Sequence, residues 1–221
     1  MSKSSQMGNR RSYGQYCGLA RALDVIGDRW SLLIVRELLA GPKRYGELHV
    51  GLQGVATNLL AQRLRDLEQA EVIERKVSSE ANGVLYALTA WGSELRETVE
   101  ALVRWSTPLM VPGPGADSFR PEWLSVALQA LLRDRRSEKP VAVVLEVSGT
   151  TFLVRIDQNR ATIDVNPPDE VSNVACNDPH VLLGLVTGLL TIEQATDTGA
   201  LRGDLRRLKA LLPSRVPKHK T

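Results

Sequence analysis

Three polar side chains with the chemistry to read DNA bases recur at helical spacing in TNLLAQRLRDLEQAEVIERK, residues 57–76. Asn58, Gln62 and Arg65 stand at positions i, i+4 and i+7, so a helix brings them to one face. In the major groove, Asn and Gln pair with adenine through two hydrogen bonds, and Arg pairs in the same way with guanine. An ordinary amphipathic helix with a solvated polar face fits the same pattern. The neighbouring elements therefore have to decide between the two interpretations.

The opposite face of this segment is apolar, because Leu60, Leu64 and Leu67 also recur at i, i+4 and i+7. Thr57, at the predicted helix start, is expected to cap the helix, to contact a phosphate, or both. Charge is graded along the region, from Lys43, Arg44, Arg63 and Arg65 near its start to Asp66, Glu68, Glu71 and Glu74 at its far end. This gradient favours a helix that enters a groove by its N-terminus, where the positive end of the helix dipole meets the phosphates.

The residues on either side predict the frame that positions this helix. A first helix is expected in CGLARALDVIGDRW, residues 17–30, where Leu19, Leu23 and Ile26 form an apolar face and Gly27 interrupts it. Further helices are expected from a cap at Asp28 to Leu39, around residues 45–52 and from Thr57. After them come a strand from Val72 to Ser79, a turn at Asn82-Gly83, a strand from Val84 to Leu88, and a helix from a Thr89 cap to about Val111. This is the order of a winged helix-turn-helix, in which the second helix of the pair enters the major groove and the hairpin lies against the flanking backbone.

Five motifs run through this half of the chain. They are C-x8-IGDRW at 17–30, LLIVRELLAGPKRYGEL at 32–48, TNLLAQRLRDLEQAEVIERK at 57–76, YALTAWGSEL at 86–95 and LVRW at 102–105. Together they cover the stretch from Cys17 to about Met110, which resembles the HxlR-type regulators, a branch of the winged helix-turn-helix repressors and activators. The resemblance implies a dimer whose outer helices form the interface, with two reading helices facing successive major grooves.

The resemblance also extends the set of predicted DNA contacts. The Arg-aromatic pair of the family falls on Arg44-Tyr45, which implies a phosphate contact from Arg44, while Arg75 and Lys76 begin the wing. The family often has proline in the wing, where this chain has SSEANG at 78–83, and this departure bears on wing geometry. The predicted DNA-contacting residues are Thr57, Asn58, Gln62, Arg65, Arg44, Lys43, Arg63, Arg75, Lys76 and Asn82.

Cys17 opens the first motif and is a candidate redox sensor. Some HxlR-type regulators sense oxidants or electrophiles through a cysteine at the matching position, usually followed by proline, where this chain has Gly18. A reactive thiol requires exposure and surroundings that favour the thiolate, such as a helix N-terminus with Arg21 one turn on. The alternative role for a lone cysteine is a small buried apolar side chain. Cys176, in an apolar strand context, is expected to be structural.

Pro and Gly in VPGPGADS, residues 111–118, interrupt helix and strand alike and divide the chain into two domains. We expect a first domain at 1–111, a linker at 112–118 and a second domain at 119–221 that ends in the basic tail SRVPKHKT. In the second domain, helices are predicted at 119–134, 178–191 and 204–212, and strands at 141–147, 151–157, 161–165 and near 172–176. The expected fold class is a mainly α winged helix-turn-helix domain plus an α+β domain with an antiparallel sheet covered by helices.

The helix predicted at 178–191 is apolar nearly all round, so it is either a core helix or one wall of an apolar ligand cavity. The element order and the closing stretch ATDTGALRGDLRRLKALL at 195–212, with Gly199, Gly203 and Asp204, resemble the sterol carrier protein type 2-like domain. That resemblance implies a hydrophobic pocket for lipids or other apolar small molecules. The residues predicted to bind the ligand are Trp123, Phe152, Val154, Ile163, Leu183, Val186 and Leu189.

The composition is that of a soluble globular protein, with 43% hydrophobic and 24% charged residues among 221. The first fifteen residues lack the apolar core of a signal peptide. The longest apolar run, at 181–190, is too short to span a bilayer, so we expect a cytoplasmic protein without a membrane partner. The net charge of +3 is spread over both halves, so only the local placement of charge bears on nucleic acid.

No motif indicates an enzyme, and neither a metal nor a cofactor is expected. His49, His180 and His219 lack metal-ligand spacing, and neither a Gly-rich phosphate loop nor a G-x-S-x-G motif occurs. The sequence therefore predicts a sequence-specific transcription regulator, a homodimeric repressor that binds double-stranded operator DNA and responds to an apolar small molecule. One alternative is a redox sensor that acts through Cys17 with a structural second domain. Another is a small-molecule carrier whose winged domain only mediates assembly.

Overall fold

A computed structural model describes residues 12–78, 83–168 and 172–212 of the chain. The chain divides into two compact units, with the boundary between Arg96 and Glu97. This boundary lies near the start of a helix that runs from Leu95 to Met110, so most of that helix is grouped with the second unit. The domain bounds read from the Pro- and Gly-rich stretch stay a prediction.

The first unit is a winged helix-turn-helix. Its helices are α1 Gly18–Ile26, α2 Ser31–Leu39, α3 Tyr45–Gly51, α4 Thr57–Gln69 and α5 Ala90–Ser93, and its strands are β1 Ile73–Ser78 and β2 Gly83–Leu88. The two strands pair antiparallel, and Lys43 adds an isolated bridge to Tyr86 in β2. The predicted order of helices and hairpin is confirmed. Asn82, in the predicted turn, lies outside the described residues.

Aliphatic side chains from several elements fill the core of this unit. Ile34 of α2, Leu48 of α3 and Leu60 of α4 are fully buried. The strand side of the core packs so closely on α5 that a Cβ atom at Gly92 would lie 1.9 Å from the carbonyl oxygen of Val72. Only glycine permits that approach, because the atom it would meet belongs to the backbone.

Two predicted helix starts are wrong. α2 begins at Ser31, after Trp30 in a left-handed conformation with φ of 84°, and not at a cap from Asp28. The Asp28 carboxylate instead lies 2.5 Å from the guanidinium of Arg63, so it pairs with α4 and is not used as a cap. Thr89 does cap a helix, accepting from the Gly92 N–H at 2.9 Å, but that helix is only α5. The long helix α6, Leu95–Met110, starts after a break that the apolar pattern does not mark.

The second unit builds a five-stranded sheet and packs helices against it. The helices against the sheet are α7 Trp123–Leu131, α8 Pro179–Thr187, α9 Ile192–Asp197 and α10 Leu205–Leu211. Its strands are β3 Val141–Val147, β4 Thr150–Ile156, β5 Ala161–Val165, β6 Val174–Cys176 and β7 Leu201–Gly203, in the sheet order β5-β4-β3-β6-β7. The strands β3 to β5 form the predicted meander. The expectation of a wholly antiparallel sheet is wrong, because β6 runs parallel to β3.

The core of the second unit lies between this sheet and its helices, with Leu128, Phe152 and Leu182 fully buried in one cluster. α8 starts at the side chain of Asp178, which accepts from the His180 N–H at 2.8 Å. It ends at Thr187, four residues before the predicted end at 191, and is followed by Gly188 in a left-handed conformation with φ of 76°. The helix stops there because Gly188 adopts the backbone conformation that terminates helices.

Candidate nucleic-acid interface

α4 has one face that packs against the rest of the first unit and one polar face, as the spacing of its residues predicts. Leu60, Leu64 and Leu67 are buried in the first unit. Asn58, Gln62 and Arg65 are exposed on the remaining surface of the helix, together with Thr57 at its first turn. The predicted division of the helix into two faces is confirmed, and base contacts from the three polar residues stay a prediction.

The start of α4 differs from the expectation for Thr57. Ala56 is the N-cap residue and Thr57 is the first residue of the helix, where no side chain caps the N–H groups. The predicted Thr57 cap is therefore wrong: a residue inside the first turn is one position too late for its hydroxyl to act as the cap. The first N–H groups of a helix lack intrahelical partners, so this end carries the positive end of the helix dipole. A phosphate contact from Thr57 is compatible with its exposure and stays a prediction.

Tyr45 fixes the position of α4 and was not predicted as a site residue. Its hydroxyl donates to the carbonyl oxygen of Thr57 at 2.9 Å, and its ring stacks on His49 with centroids 6.3 Å apart. The first residue of α3 is thereby joined to the first residue of α4. The Arg-aromatic pair Arg44-Tyr45 carries this signal, because its aromatic residue makes the contact with α4.

A chain of hydrogen bonds runs across the polar face of α4. Arg65 donates to the Oε1 of Gln62 at 2.7 Å, and the Nε2 of Gln62 donates to the Oδ1 of Asp66 at 2.8 Å. The other oxygen of Asp66 lies 2.8 Å from the guanidinium of Arg63, which also pairs with Asp28. Arg63 is only 19% exposed. Its charge therefore ties α4 to the α1–α2 turn, a structural role that the sequence did not suggest.

Lys43 also directs its charge into the protein. Its ammonium lies 2.5 Å from the carboxylate of Glu37, which is 2% exposed and also pairs with Arg36 at 2.8 Å. Burial alone raises the pKa of Glu37, but the hydrogen bonds and charges of Lys43 and Arg36 outweigh it and hold that pKa below its ordinary value. A Cβ atom at Gly51 would lie 2.6 Å from the same carboxylate, so Glu37 fills the contact between α2 and α3.

The main chain of Lys43 joins this ion pair to the wing. Its N–H donates to the Tyr86 carbonyl at 2.9 Å and its carbonyl accepts from the Tyr86 N–H at 2.8 Å. Arg44, the next residue, is exposed at the N-cap of α3, and its N–H donates to the carboxylate of Glu47 at 2.6 Å. A phosphate contact from Arg44 is compatible with this exposure and stays a prediction.

The cations at the base of the wing have carboxylate partners. Arg75 stands opposite Tyr86 in the strand register, with its guanidinium 5.7 Å from the ring centroid and 3.0 Å from Glu68. Lys76 pairs with Glu74 at 3.1 Å. Both side chains remain about half exposed. Phosphate contacts from Arg75 and Lys76 stay a prediction, and Asn82 lies outside the described residues.

The predicted charge gradient along α4 has a clear structural counterpart at its acidic end. Glu68, Glu71 and Glu74 line one open depression of about 580 Å³ beside Arg75 and Trp91. The depression lies by the C-terminal half of α4 and the first residues of β1, away from Asn58 at the start of the helix. Negative charge therefore gathers at the end of α4 that is opposite to the proposed DNA-entering end.

Cys17 is exposed and occupies the N-cap position of α1. The backbone N–H groups of Ala20 and, to a smaller extent, Leu19 stabilise the thiolate and lower the pKa of Cys17 below its ordinary value. Arg21, which was predicted to stabilise the thiolate, pairs with Asp24 at 3.7 Å. The exposure that a sensor needs is present, and the stabilising groups are backbone donors rather than the arginine. Cys176 is buried, and burial raises the pKa of its thiol.

The residues predicted to line a ligand cavity belong mainly to the core of the second unit. Phe152, Val154 and Val186 are buried in the main cluster, and Ile163 and Leu183 pack against it. The remaining two lie at helix ends: Trp123 is the first residue of α7, and Leu189 follows the end of α8. Leu189 was predicted to lie within the helix and does not, because Gly188 terminates it.

Within residues 12–78, 83–168 and 172–212, no group of three or more His, Cys, Asp or Glu side chains is arranged to hold a metal ion. In the same ranges, no helix has the length and apolar character needed to cross a bilayer.

Residues 25–112 match the family model described as HxlR-like helix-turn-helix. The HTH-type transcriptional regulator YodB of Bacillus subtilis strain 168 is 36% identical over 93 residues, which are 42% of this chain and 83% of that protein. The uncharacterized HTH-type transcriptional regulator sll1512 of Synechocystis is 38% identical over 90 residues, 40% of this chain and 67% of that protein. The crystal structure of quinone-bound YodB from B. subtilis aligns with a TM-score of 0.36 at 32% identity and covers 41% of this chain and 96% of that chain. The chain belongs to the HxlR-like helix-turn-helix family of transcriptional regulators.

Proposed function

We propose that the chain is a homodimeric repressor that recognises operator DNA through α4. The observation that carries this proposal is the surface of α4, where Asn58, Gln62 and Arg65 are exposed while the leucines of the same helix are buried. These three residue types hydrogen-bond base edges in the major groove. Tyr45 holds the first carbonyl of the helix, so the reading side chains stand on a fixed element.

The phosphate contacts belong to the same proposal, in a revised form. Arg44 and the first-turn N–H groups of α4 are placed to meet the DNA backbone, with Thr57 beside them. Lys43 and Arg63 hold α4 and the wing in place through their carboxylate partners. Arg75, Lys76 and Asn82 remain the proposed wing contacts.

Apolar side chains on the surface support the proposed homodimer. On α1, Leu19 and Leu23 are exposed. On α6, Leu102, Trp105 and Leu109 are exposed at helical spacing, with Trp105 75% accessible. Exposed apolar side chains that share one helix face, as on α6, mark protein interaction surfaces. A twofold pair would present two reading helices to half-sites about 34 Å apart, one turn of the double helix.

A direct binding measurement tests this function. A labelled duplex from the region upstream of its own gene is titrated with the wild-type protein and with a Gln62→Ala/Arg65→Ala variant. We expect the variant to bind at least about tenfold more weakly, because each bidentate base contact contributes about 1–3 kcal/mol of discrimination. Gln158→Ala/Arg206→Ala removes the same residue types from exposed positions of the second unit and should bind normally. Equal binding by the Gln62/Arg65 variant would sink the assignment of α4 as the reader.

We propose that the second domain has a fold like that of the sterol carrier proteins and binds an apolar small molecule to which the regulator responds. Five of the seven proposed lining residues belong to the packed core or pack against it, so a ligand there has to separate side chains that now touch. Native mass spectrometry of protein purified without detergent should detect the ligand as added mass. The proposal of an apolar ligand would be contradicted if the purified protein carries no added mass and if no fatty acid or sterol raises its Tm.

A second candidate input is oxidation of Cys17, and the N-cap position of this thiol favours it. The thiol is exposed and backbone N–H groups lower its pKa, so a larger fraction is thiolate at neutral pH than in an ordinary cysteine. Hydrogen peroxide should weaken operator binding by the wild type and leave Cys17→Ser unaffected. A Cys17→Ser protein that responds as strongly as the wild type would exclude this thiol as the sensor.

A further inference from the structure

Asp66 was assigned to the acidic end of α4, but its side chain reaches the centre of the reading surface. Its Oδ1 accepts from the Nε2 of Gln62 at 2.8 Å, and its Oδ2 faces the guanidinium of Arg63 at 2.8 Å. Asp66 is 23% exposed, less than the residues it contacts on the outer face. A carboxylate in this place decides which hydrogen-bonding groups Gln62 can offer to a base.

The amide of Gln62 has two N–H donors and two lone pairs on its oxygen. Asp66 takes one of the N–H donors and Arg65 takes one of the lone pairs, the latter at 2.7 Å. One donor and one acceptor are left. Adenine presents one acceptor, N7, and one donor, the N6 amino group, so it matches what remains.

Guanine presents two acceptors, N7 and O6, in the same groove. A free glutamine amide can satisfy both by directing its two N–H groups at them. With one N–H held by Asp66, Gln62 has only one to give, and its remaining lone pair would face a guanine acceptor. The contact with Asp66 therefore favours adenine and disfavours guanine.

The orientation of the amide is fixed by charge. Turning it over would place its oxygen against the Asp66 carboxylate and its N–H groups against the Arg65 guanidinium, two repulsive contacts. Asp66 is itself held by Arg63, which Asp28 anchors from the α1–α2 turn at 2.5 Å. The orientation thus rests on Asp66 and Arg63, whose side chains are 23% and 19% exposed, and on the pairing of Arg63 with Asp28.

We propose that Asp66 is a positioning residue that makes Gln62 select adenine over guanine in the operator. The inference rests on the proposed function, because it takes Gln62 as a base-reading residue. Asp66 is not expected to touch DNA. It acts through the amide of Gln62, and its removal should change which base is preferred at one position of each half-site while other positions keep their preferences.

The test is a binding selection from a duplex pool randomised over 24 base pairs, carried out with full-length protein and followed by sequencing. Wild type, Gln62→Ala, Asp66→Ala and Glu68→Ala are compared. Glu68 is the matched control, because it lies on the same helix and its neutralisation changes the charge by the same amount without touching Gln62. Thermal denaturation of each variant checks that the fold is kept.

We expect the wild type to prefer adenine over guanine at the position read by Gln62 by about tenfold. Gln62→Ala should lose that preference. Asp66→Ala removes the acceptor and should lower the adenine-to-guanine ratio at least about fivefold at that position, and Glu68→Ala should leave it unchanged. If Gln62→Ala loses the preference but Asp66→Ala keeps it, Asp66 is not a positioning residue and the inference is overturned while the proposed function stands. If the wild type enriches no sequence, or if the profile ignores Gln62, the assignment of α4 fails and the inference fails with it.

Discussion

Replacing Glu37 with glutamine removes a buried negative charge on which two cations converge. The Glu37 carboxylate is 2% exposed and lies 2.5 Å from Lys43 and 2.8 Å from Arg36. Lys43 in turn bridges to Tyr86 of the wing, and the carboxylate fills the space beside Gly51 of α3. The substitution therefore keeps the shape of the side chain and removes the charge from a contact shared by α2, α3 and the wing.

The size of the effect follows from these contacts. Each hydrogen bond to a charged group contributes about 1.5–3 kcal/mol to stability. Two effects make the loss of stability smaller than the sum of these hydrogen bonds. Lys43 and Arg36 are about one fifth exposed, so water hydrates them when the carboxylate is gone. The substitution also removes the free-energy cost of burying a charged carboxylate. We expect Glu37→Gln to lower the free energy of unfolding of the first unit by about 2 kcal/mol at pH 7, roughly 10 °C in Tm.

The effect should depend on pH with a defined sign. The pKa of Glu37 in the folded protein lies below its ordinary value of 4.5. A carboxyl group with a lowered pKa contributes stability above its unfolded pKa, and that contribution is lost as the pH falls through the folded value. The difference between wild type and Glu37→Gln should therefore be largest at pH 7 and should shrink as the pH falls below 4.5.

Urea titration at several pH values measures this difference, and hydrogen exchange of peptides from residues 31–69 assigns it to the first unit. Glu94→Gln is the matched control, since it makes the same chemical change at an exposed position of the same unit and should cost less than about 0.5 kcal/mol. A Glu37→Gln protein as stable as the wild type at pH 7 would refute the reasoning. So would a loss of stability that does not vary with pH.

Three further outcomes are expected. Tyr45→Phe removes the hydrogen bond to the Thr57 carbonyl, so it should lower the free energy of unfolding in urea titration by about 1 kcal/mol and weaken operator binding. Unchanged stability and binding would show that α4 does not depend on this contact. Gly92→Ala places a Cβ 1.9 Å from the Val72 carbonyl oxygen and should lower stability by at least about 2 kcal/mol, and a fully stable variant would contradict the packing of α5 on the strand. Cys17 should be alkylated by iodoacetamide with a rate that reaches half its maximum below pH 9.0, because its pKa is lowered, and a midpoint at or above that pH would refute the N-cap effect.

The first unit was predictable from sequence where the signal is local. The spacing of Leu60, Leu64 and Leu67 gave both the existence of α4 and its buried face, since a helical period is a property of neighbouring residues. The role of Lys43 was not predictable, because it depends on Glu37 being buried. Glu37 reads as a surface residue in RELL, and only the packing of α3 on α2 encloses it.

In the second unit, too, local patterns were predictable and contacts between distant residues were not. Alternation predicted strands β3, β4 and β5 to within a residue, because burial of one face repeats every second position. The pairing of β6 with β3 was missed, since the direction in which a strand meets a distant partner leaves no mark on its own residues. For the same reason, apolar residues such as Phe152 and Val186 could not be assigned to a cavity or to a packed core from their types alone.

The pairing of charges bears directly on how this regulator would hold DNA. Four of the six cations predicted to contact DNA, namely Lys43, Arg63, Arg75 and Lys76, each have a carboxylate partner within 4 Å. A cation that is already neutralised adds little net charge at the DNA backbone, and affinity gained from released counterions scales with the number of phosphates neutralised. Recognition by a single copy would then rest on base contacts and the start of α4. In the proposed homodimer, two copies would double those contacts on one operator and would offset the small net charge of one reading surface.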